Sequence, residues 1–328
     1  MRQEDVRWGH YKQTDTSIGV MDRYQNIKPW NHNRVKLQVE QGKLDYVNAS
    51  TVELPSTSDP TQTPHRYIAM QGPTEPSFSH VWRMIAEQIQ GPAVIVQLTN
   101  MYELISVKCS QYFPDGENEV EYHLNTEDAW QDSWRARLVF DSSTEHDEGA
   151  ITKRKFLLHI DGEDEPRVIW HIHYHHWPDF GLPKPENLPA FFALSHMSQE
   201  CAGKDNPSAP RIVHCSAGVG RTGTFIALEH LMRELELGAM HPDKKMDGDP
   251  VYDTVELLRK QRRGMVQGET QLRFIYQTIR RLWLEKYGHL VGLTAEDGEP
   301  ASKRLEVSGG AESDGDREET DPFVWDPT

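Results

Sequence analysis

The chain has little cysteine, no surplus of basic residues and no long apolar run, and each shortage removes a class of protein. Three cysteines in 328 residues, Cys109, Cys201 and Cys215, are widely spaced with no CxxC pair. Neither a disulfide scaffold nor a cysteine-based zinc site is available, and a reducing compartment follows. Lys and Arg number 35 against 51 Asp and Glu, a formal net charge of −16. A nucleic-acid binder needs the opposite balance to neutralise phosphates, so no nucleic-acid partner is expected. No stretch approaches the ~20 apolar residues of a membrane span, and Arg2, Glu4 and Asp5 stand where a secretory leader is apolar. These absences leave a soluble cytoplasmic protein, with access to the nucleus left open.

The acid is unevenly spread. Residues 294–328 hold eleven Asp and Glu against Lys303, Arg304 and Arg317, which is half of the net charge. This Gly-, Ser- and acid-rich stretch buries too little apolar surface to offset its ordering entropy. Residues 291–328 are therefore expected to form a disordered acidic tail, in which Phe323-Val324-Trp325 offers an anchor for a protein partner. Residues 1–290 read as a single α/β domain, a mixed sheet flanked by helices. Strand patterns cover 44–49, 66–70, 93–98, 105–113, 135–140, 152–160 and 168–175. Helical spacing links Phe78, Val81, Ile85 and Ile89, then Phe225, Leu228, Met232 and Leu235, then Leu272, Ile275, Ile279 and Leu282. Asp249-Pro250 reads as an N-cap with proline at the first position of a further helix.

The most informative stretch is Arg211-Ile212-Val213-His214-Cys215-Ser216-Ala217-Gly218-Val219-Gly220-Arg221-Thr222-Gly223. An apolar strand enters a loop of small residues, and the loop enters a helix near Arg221. Successive backbone N–H groups in such a turn form an anion cradle, to which the helix N-terminus adds its positive end. Gly218 and Gly220 are expected to supply the positive φ that bends the loop. A cysteine at the base of that field is held toward thiolate, a nucleophile aimed at the bound anion. Arg221 offers a planar fork matched to phosphate oxygens. A Cys-x5-Arg pair alone is weak; the glycines, the strand before and the helix after make it specific.

The run His214 to Gly223 resembles the signature of the protein tyrosine phosphatase family, tyrosine-specific class, with Val219 and Thr222 as mild departures. Asp22-Arg23-Tyr24-Gln25-Asn26-Ile27, Asp45-Tyr46-Val47-Asn48-Ala49-Ser50, Tyr67-Ile68-Ala69-Met70-Gln71-Gly72-Pro73 and Lys108-Cys109-Ser110-Gln111-Tyr112-Phe113-Pro114 resemble further blocks in family order. The resemblance implies the family's α/β fold and a phosphotyrosine phosphatase with no cofactor and no metal. It implies tyrosine-phosphorylated proteins as substrates. Trp177-Pro178-Asp179-Phe180-Gly181 looks like the movable loop, with Asp179 as general acid and then base and Trp177 in support. By the same resemblance Gln267 orients the hydrolytic water, and Gln271 joins it at the substrate. Thr222 stabilises the leaving thiolate. Tyr24 and Phe180 flank the substrate ring, Asn26 meets the substrate backbone where many members carry Asp, and Ser216, Ala217, Gly218, Val219, Gly220 and Arg221 hold the phosphate. His214 supports the loop, and Glu103 and Lys108 orient Arg221 or the acid loop.

Two other readings compete. A phosphoinositide or phosphoserine enzyme would differ in specificity, but lipid phosphatases of this superfamily tend to carry Lys inside the loop, and Ser216, Ala217 and Gly218 are neutral. A catalytically dead binding module would have lost the nucleophile, the acid or the arginine, and all three are present. His171, His173 and His175 alternate along one strand without a supporting acid or cysteine, so no metal is expected there. Arg259, Lys260, Arg262 and Arg263 form the densest basic run, read as a solvated helix face or an attractor of acidic phosphopeptides.

Overall fold

Four of the most apolar short runs lie side by side at the middle of one sheet. The computed structural model describes residues 17–103, 105–178, 181–203, 208–245 and 248–293. Asp179, Phe180 and the acidic stretch from 294 onward, with Phe323-Val324-Trp325, lie outside the described residues. The strands are β1 (Arg34–Lys36), β2 (Tyr46–Leu54), β3 (His65–Met70), β4 (Ala93–Gln97), β5 (Tyr102–Glu103), β6 (Ser106–Val107), β7 (Glu121–Leu124), β8 (Ala136–His146), β9 (Ile151–Ile160), β10 (Arg167–Tyr174) and β11 (Arg211–His214). The helices are α1 (Ser17–Met21), α2 (Phe78–Gln88), α3 (Leu188–Ala202), α4 (Gly220–Glu236), α5 (Pro250–Gln261) and α6 (Glu269–Val291).

The main sheet runs β1-β2-β3-β11-β4-β10-β9-β8-β7. β3, β11, β4 and β10 are mutually parallel, and the strands on either side pair antiparallel. Parallel strands are covered on both faces and so read as continuous apolar runs; every residue of β4 and of β11 is buried. Alternation sends Ala69, Val94, Val96 and Val213 to a core with Phe191 of α3, Leu228 of α4, Leu258 of α5 and Ile275 of α6. Ile68, Met70, Ile95 and Ile212 face a second core with Trp82 and Ile85 of α2. The four parallel strands all end at one edge, where Gln71, Asn100, Trp177 and Cys215 follow them within a few residues. Ligands of open α/β sheets bind at that carboxyl edge.

The expected mixed sheet with flanking helices is present, and Asp249 caps α5 as its sequence suggests, accepting from the Val251 and Tyr252 N–H groups. The expected strand at 105–113 is not. Only Ser106–Val107 pairs, with Tyr102–Glu103, in a separate two-stranded ribbon. Beyond it the backbone bonds to loops instead of a ladder: Lys108 N–H to Met101 O at 2.8 Å and Ser110 N–H to Pro73 O at 3.0 Å. Helix α3 was not foreseen, because its inner face is laced with Ser195 and Ser198. Those hydroxyls are spent on a buried Arg211–Glu229 pair, Ser195 donating to Glu229 at 2.5 Å and Ser198 accepting from Arg211 at 2.5 Å. Among the described residues no helix is long and apolar enough to cross a membrane.

Candidate active site

Between β11 and α4 the chain turns through the sequence-predicted cradle. Gly218 adopts φ +70, and a Cβ there would lie 2.0 Å from the Met70 carbonyl oxygen. Gly220 departs from expectation: it does not have positive φ. A Cβ there would crowd the Gln271 amide, 3.0 Å from Nε2 and 3.1 Å from Oε1, so a larger residue would have to push that side chain aside. The Gly218→Ala chain should therefore lose about 2 kcal/mol or more of stability together with its anion binding. Thermal denaturation with and without vanadate checks this: the variant melts lower and gains no protection from vanadate.

The loop is held from outside by Arg262, which is fully buried. Its guanidinium donates to Gly218 O at 2.9 Å, Ala217 O at 3.1 Å, Asn48 Oδ1 at 2.8 Å and Ser50 Oγ at 3.2 Å. Burial draws its pKa down to about 10, so it remains a cation at neutral pH. The basic run is thus not a uniform solvated face. Arg262 continues the apolar spacing of Val251, Val255 and Leu258 on α5, a signal the run of like charges concealed. His214, also fully buried, donates from Nδ1 to Cys215 O at 3.2 Å and accepts from Tyr112 Oη at Nε2, 2.8 Å away. Burial pushes its pKa down to about 4, which keeps that neutral tautomer.

Cys215 is 3% exposed at the floor of the cradle. Burial alone would raise its pKa, but the Arg221 charge, the Thr222 hydroxyl and the Thr222 and Val219 backbone N–H groups outweigh it and hold the thiol below its ordinary value. Gly218 N–H also points to the sulfur, at 3.3 Å. Thr222 Oγ1 is buried and has no other hydrogen-bond partner among the described residues, which leaves the hydroxyl for the thiolate. Cys109 goes the other way: burial outweighs the nearby Arg23 charge and pushes its thiol up to about 12. Of the two buried thiols, Cys215 is the one whose surroundings outweigh its burial.

Arg221 is clamped. Its Nη1 and Nη2 donate to the two oxygens of Glu103 at 2.6 and 3.0 Å, and Nη1 also donates to Trp177 O at 3.1 Å. Both side chains of the pair are under 10% exposed, and Glu103 accepts further bonds from Thr99 Oγ1 and Asn100 N–H at 2.8 and 3.0 Å. Glu103 thus lies against Arg221, one of the two groups expected to be near it. Trp177 is buried against Phe191 and donates its indole N–H to Gly181 O at 3.1 Å, tying together the two ends of the stretch that contains Asp179.

A cleft of about 160 Å³ opens over the cradle, lined by Tyr24, Asn26, Lys108, Cys215, Arg221 and Gln267, with Ser216, Ala217, Gly220 and Gln271 also in its wall. Tyr24 Oη lies 2.8 Å from Ser216 Oγ, so the ring stands as one side of the cleft. The neighbouring Arg23 fixes that side, donating to Gly72 O at 2.9 Å, Pro73 O at 2.7 Å and Val107 O at 3.0 Å. Gln271 Oε1 accepts from the Gln267 and Gly268 N–H groups at 3.0 and 3.3 Å, capping α6. Gln267 follows Val266, a β-branched residue at φ +56 whose N–H bonds Val219 O at 3.2 Å. Strain of that kind persists only where surrounding contacts over-determine it; here it sets the Gln267 side chain over Gly220. Nothing in the sequence signals these roles for Arg23 and Val266, and Arg262 shows there only as part of the basic run, because each acts through a long-range contact.

Comparison with known proteins finds similarity over most of the chain. A family model described as protein-tyrosine phosphatase matches residues 20–281. The chain is 35% identical over 269 residues to human receptor-type tyrosine-protein phosphatase alpha, covering 80% of this chain and 29% of that protein. It is 32% identical over 259 residues to human tyrosine-protein phosphatase non-receptor type 2, covering 79% and 55%. With mouse receptor-type tyrosine-protein phosphatase epsilon it shares 34% identity over 264 residues, covering 79% and 33%. It thus spans less than two thirds of the length of each of these relatives. Among solved structures, PTPN18 in complex with HER2-pY1196 phosphopeptides superposes with a TM-score of 0.67 at 25% identity, covering 86% of this chain and 87% of that one. A second PTPN18 structure, concerned with distinct HER2 tyrosine phosphorylation sites, gives 0.66 at 26% identity, covering 82% and 85%.

Proposed function

Because the chain belongs to the protein-tyrosine phosphatase family, we propose that it hydrolyses phosphotyrosine in proteins through a phosphocysteine intermediate. The observation that carries this reading is Cys215, a thiol biased toward thiolate inside a ring of backbone N–H groups and closed by a clamped Arg221. The thiolate attacks phosphorus while the bond from phosphorus to the tyrosine oxygen breaks. Arg221 and the loop N–H groups hold the non-bridging oxygens as charge shifts in the transition state. Asp179 gives its proton to the departing phenolate. Water held by Gln267 then attacks the phosphocysteine, Asp179 takes the proton, and the sulfur leaves as thiolate against Thr222 and the loop. Inorganic phosphate departs, and the residues of this cycle need no metal or cofactor.

The substrate class follows from depth. By resemblance to the family, a phenyl phosphate passing Tyr24 reaches Cys215 while a shorter seryl phosphate does not, a reading that the Tyr24 wall beside Ser216 and the buried Cys215 support. Tyrosine-phosphorylated proteins are the partners this supports, and the phosphopeptide complexes of PTPN18 are consistent with it. All three cysteines are free, and a nucleophile that must remain a thiol suits the cytoplasm. We place the catalytic domain in residues 1–290 and assign the acidic stretch beyond it to partner binding.

Asp179→Ala tests the acid. Removing a general acid typically costs 10²–10⁴-fold, so kcat on phosphotyrosyl peptides should fall by roughly 10²-fold or more while KM does not rise. Normal turnover in that variant would remove Asp179 from the mechanism.

A further inference from the structure

We propose that His175 and Asn100 are a positioning pair that fixes the root of the Asp179 loop relative to Arg221, an inference that rests on the phosphatase reading above. Strands β4 and β10 are parallel neighbours with Gln97 opposite His173, so the chain segments that leave them run side by side. Three residues beyond Gln97 lies Asn100; two beyond His173 lies His175. Asn100 Nδ2 donates to the His175 carbonyl at 3.3 Å, and Asn100 Oδ1 lies 3.1 Å from His175 Nδ1.

Those two bonds close a circuit. Asn100 N–H donates to Glu103 Oε1, Glu103 grips both Nη atoms of Arg221, and Arg221 Nη1 donates to the carbonyl of Trp177, two residues after His175. Cleft arginine and loop root are therefore referred to each other twice, once directly through Trp177 and once through Glu103, Asn100 and His175. The Trp177 indole then carries the constraint across the loop to Gly181.

The imidazole has one arrangement that satisfies this circuit. Asn100 Nδ2 is committed to a carbonyl, so Oδ1 is what faces the ring, and Nδ1 carries the proton. Nε2 is then bare and accepts from Thr152 Oγ1 at 2.7 Å. The His175 N–H bonds Ala150 O at 2.9 Å, and the His173 ring centroid lies 3.9 Å away, its plane tilted by 47°. Burial, with the charges of Arg154 and His176 behind it, lowers the pKa of His175 and favours this neutral ring. No atom of the pair needs to touch substrate; it acts on where Asp179 arrives.

A series of aryl phosphates with leaving groups from weakly to strongly basic reads that position. When the acid is in place, proton transfer neutralises the leaving oxygen and log kcat/KM depends weakly on leaving-group pKa; when it is displaced the dependence steepens. His175→Ala is expected to lose about tenfold on the most basic leaving group, with little change on the least basic. Asn100→Ala should do the same, and the double variant should be no worse than either, because both remove one link. His175→Asn, whose amide nitrogen falls where Nδ1 was, should restore the shallow dependence, whereas His175→Gln should not. A uniform loss across the series, an unchanged slope in both alanine variants, or equal behaviour of the Asn and Gln variants would overturn the pair. A wild-type chain that hydrolyses none of the series would overturn the phosphatase reading along with it; a wild-type chain with full activity and an unmoved slope in His175→Ala overturns the pair alone.

Discussion

The Cys215→Ser chain is expected to lose about 10⁵-fold or more of its phosphatase activity, the scale seen when an enzyme's nucleophile is removed, and to keep its affinity for phosphotyrosyl peptide. The two halves of that result have separate causes. Activity goes because the field that lowers the cysteine pKa acts on a group already inclined to ionise; a serine hydroxyl starts so much higher that Arg221 and the loop N–H groups cannot make it an alkoxide. Binding stays because the cradle is backbone, Arg221 and the Tyr24 wall, none of which the substitution touches. Single-turnover kinetics and calorimetric titration with a phosphotyrosyl peptide separate the two. Loss of both together would mean that Cys215 supports the loop and is not its nucleophile.

The Arg221→Lys chain should lose about 10³-fold or more in kcat/KM, within the range for removing a transition-state charge clamp. Charge is conserved in this variant, so the loss measures geometry. An ammonium has no planar fork: it cannot meet both Glu103 oxygens and the Trp177 carbonyl while presenting donors to a phosphoryl group. It also leaves a buried carboxylate with half of its partner, and the Thr99 and Asn100 bonds then hold Glu103 in a less balanced charge environment. The expected signature is a fall in kcat with a smaller rise in KM, accompanied by weaker vanadate inhibition. A variant with near-normal kcat would show that charge alone suffices.

The parts of the fold that could be read from sequence were those whose signals are contiguous. β4 and the Ile212-Val213 centre of β11 are apolar because both faces are covered, and Cys215, Gly218 and Arg221 fall within one turn between a strand and a helix. Asp249-Pro250 declares the start of α5 by local capping alone. What escaped depends on contacts between distant residues. Glu103 is tied to Arg221 in sequence only through the family resemblance, since it is 118 positions from the arginine it holds. Arg262 looks like one more surface charge until Asn48, Ser50 and the loop carbonyls are brought around it. The inner face of α3 is hidden by serines that only a buried Arg211–Glu229 pair explains. The stretch at 105–113 alternates like a strand, yet Arg23, Met101 and Pro73 claim its backbone groups. Gly220, expected to supply a positive φ, does not adopt one; a Cβ there would instead crowd the Gln271 amide.

The central claim is that phosphate passes through Cys215, and rapid acid quenching of the full chain during turnover of a phosphotyrosyl peptide, followed by mass mapping, tests it most directly. The account predicts a phosphoryl adduct on the peptide containing Cys215, accumulating further in a Gln267→Ala chain, whose water is no longer held. Steady turnover with no adduct on Cys215, or with the phosphoryl group on any other residue, would contradict it.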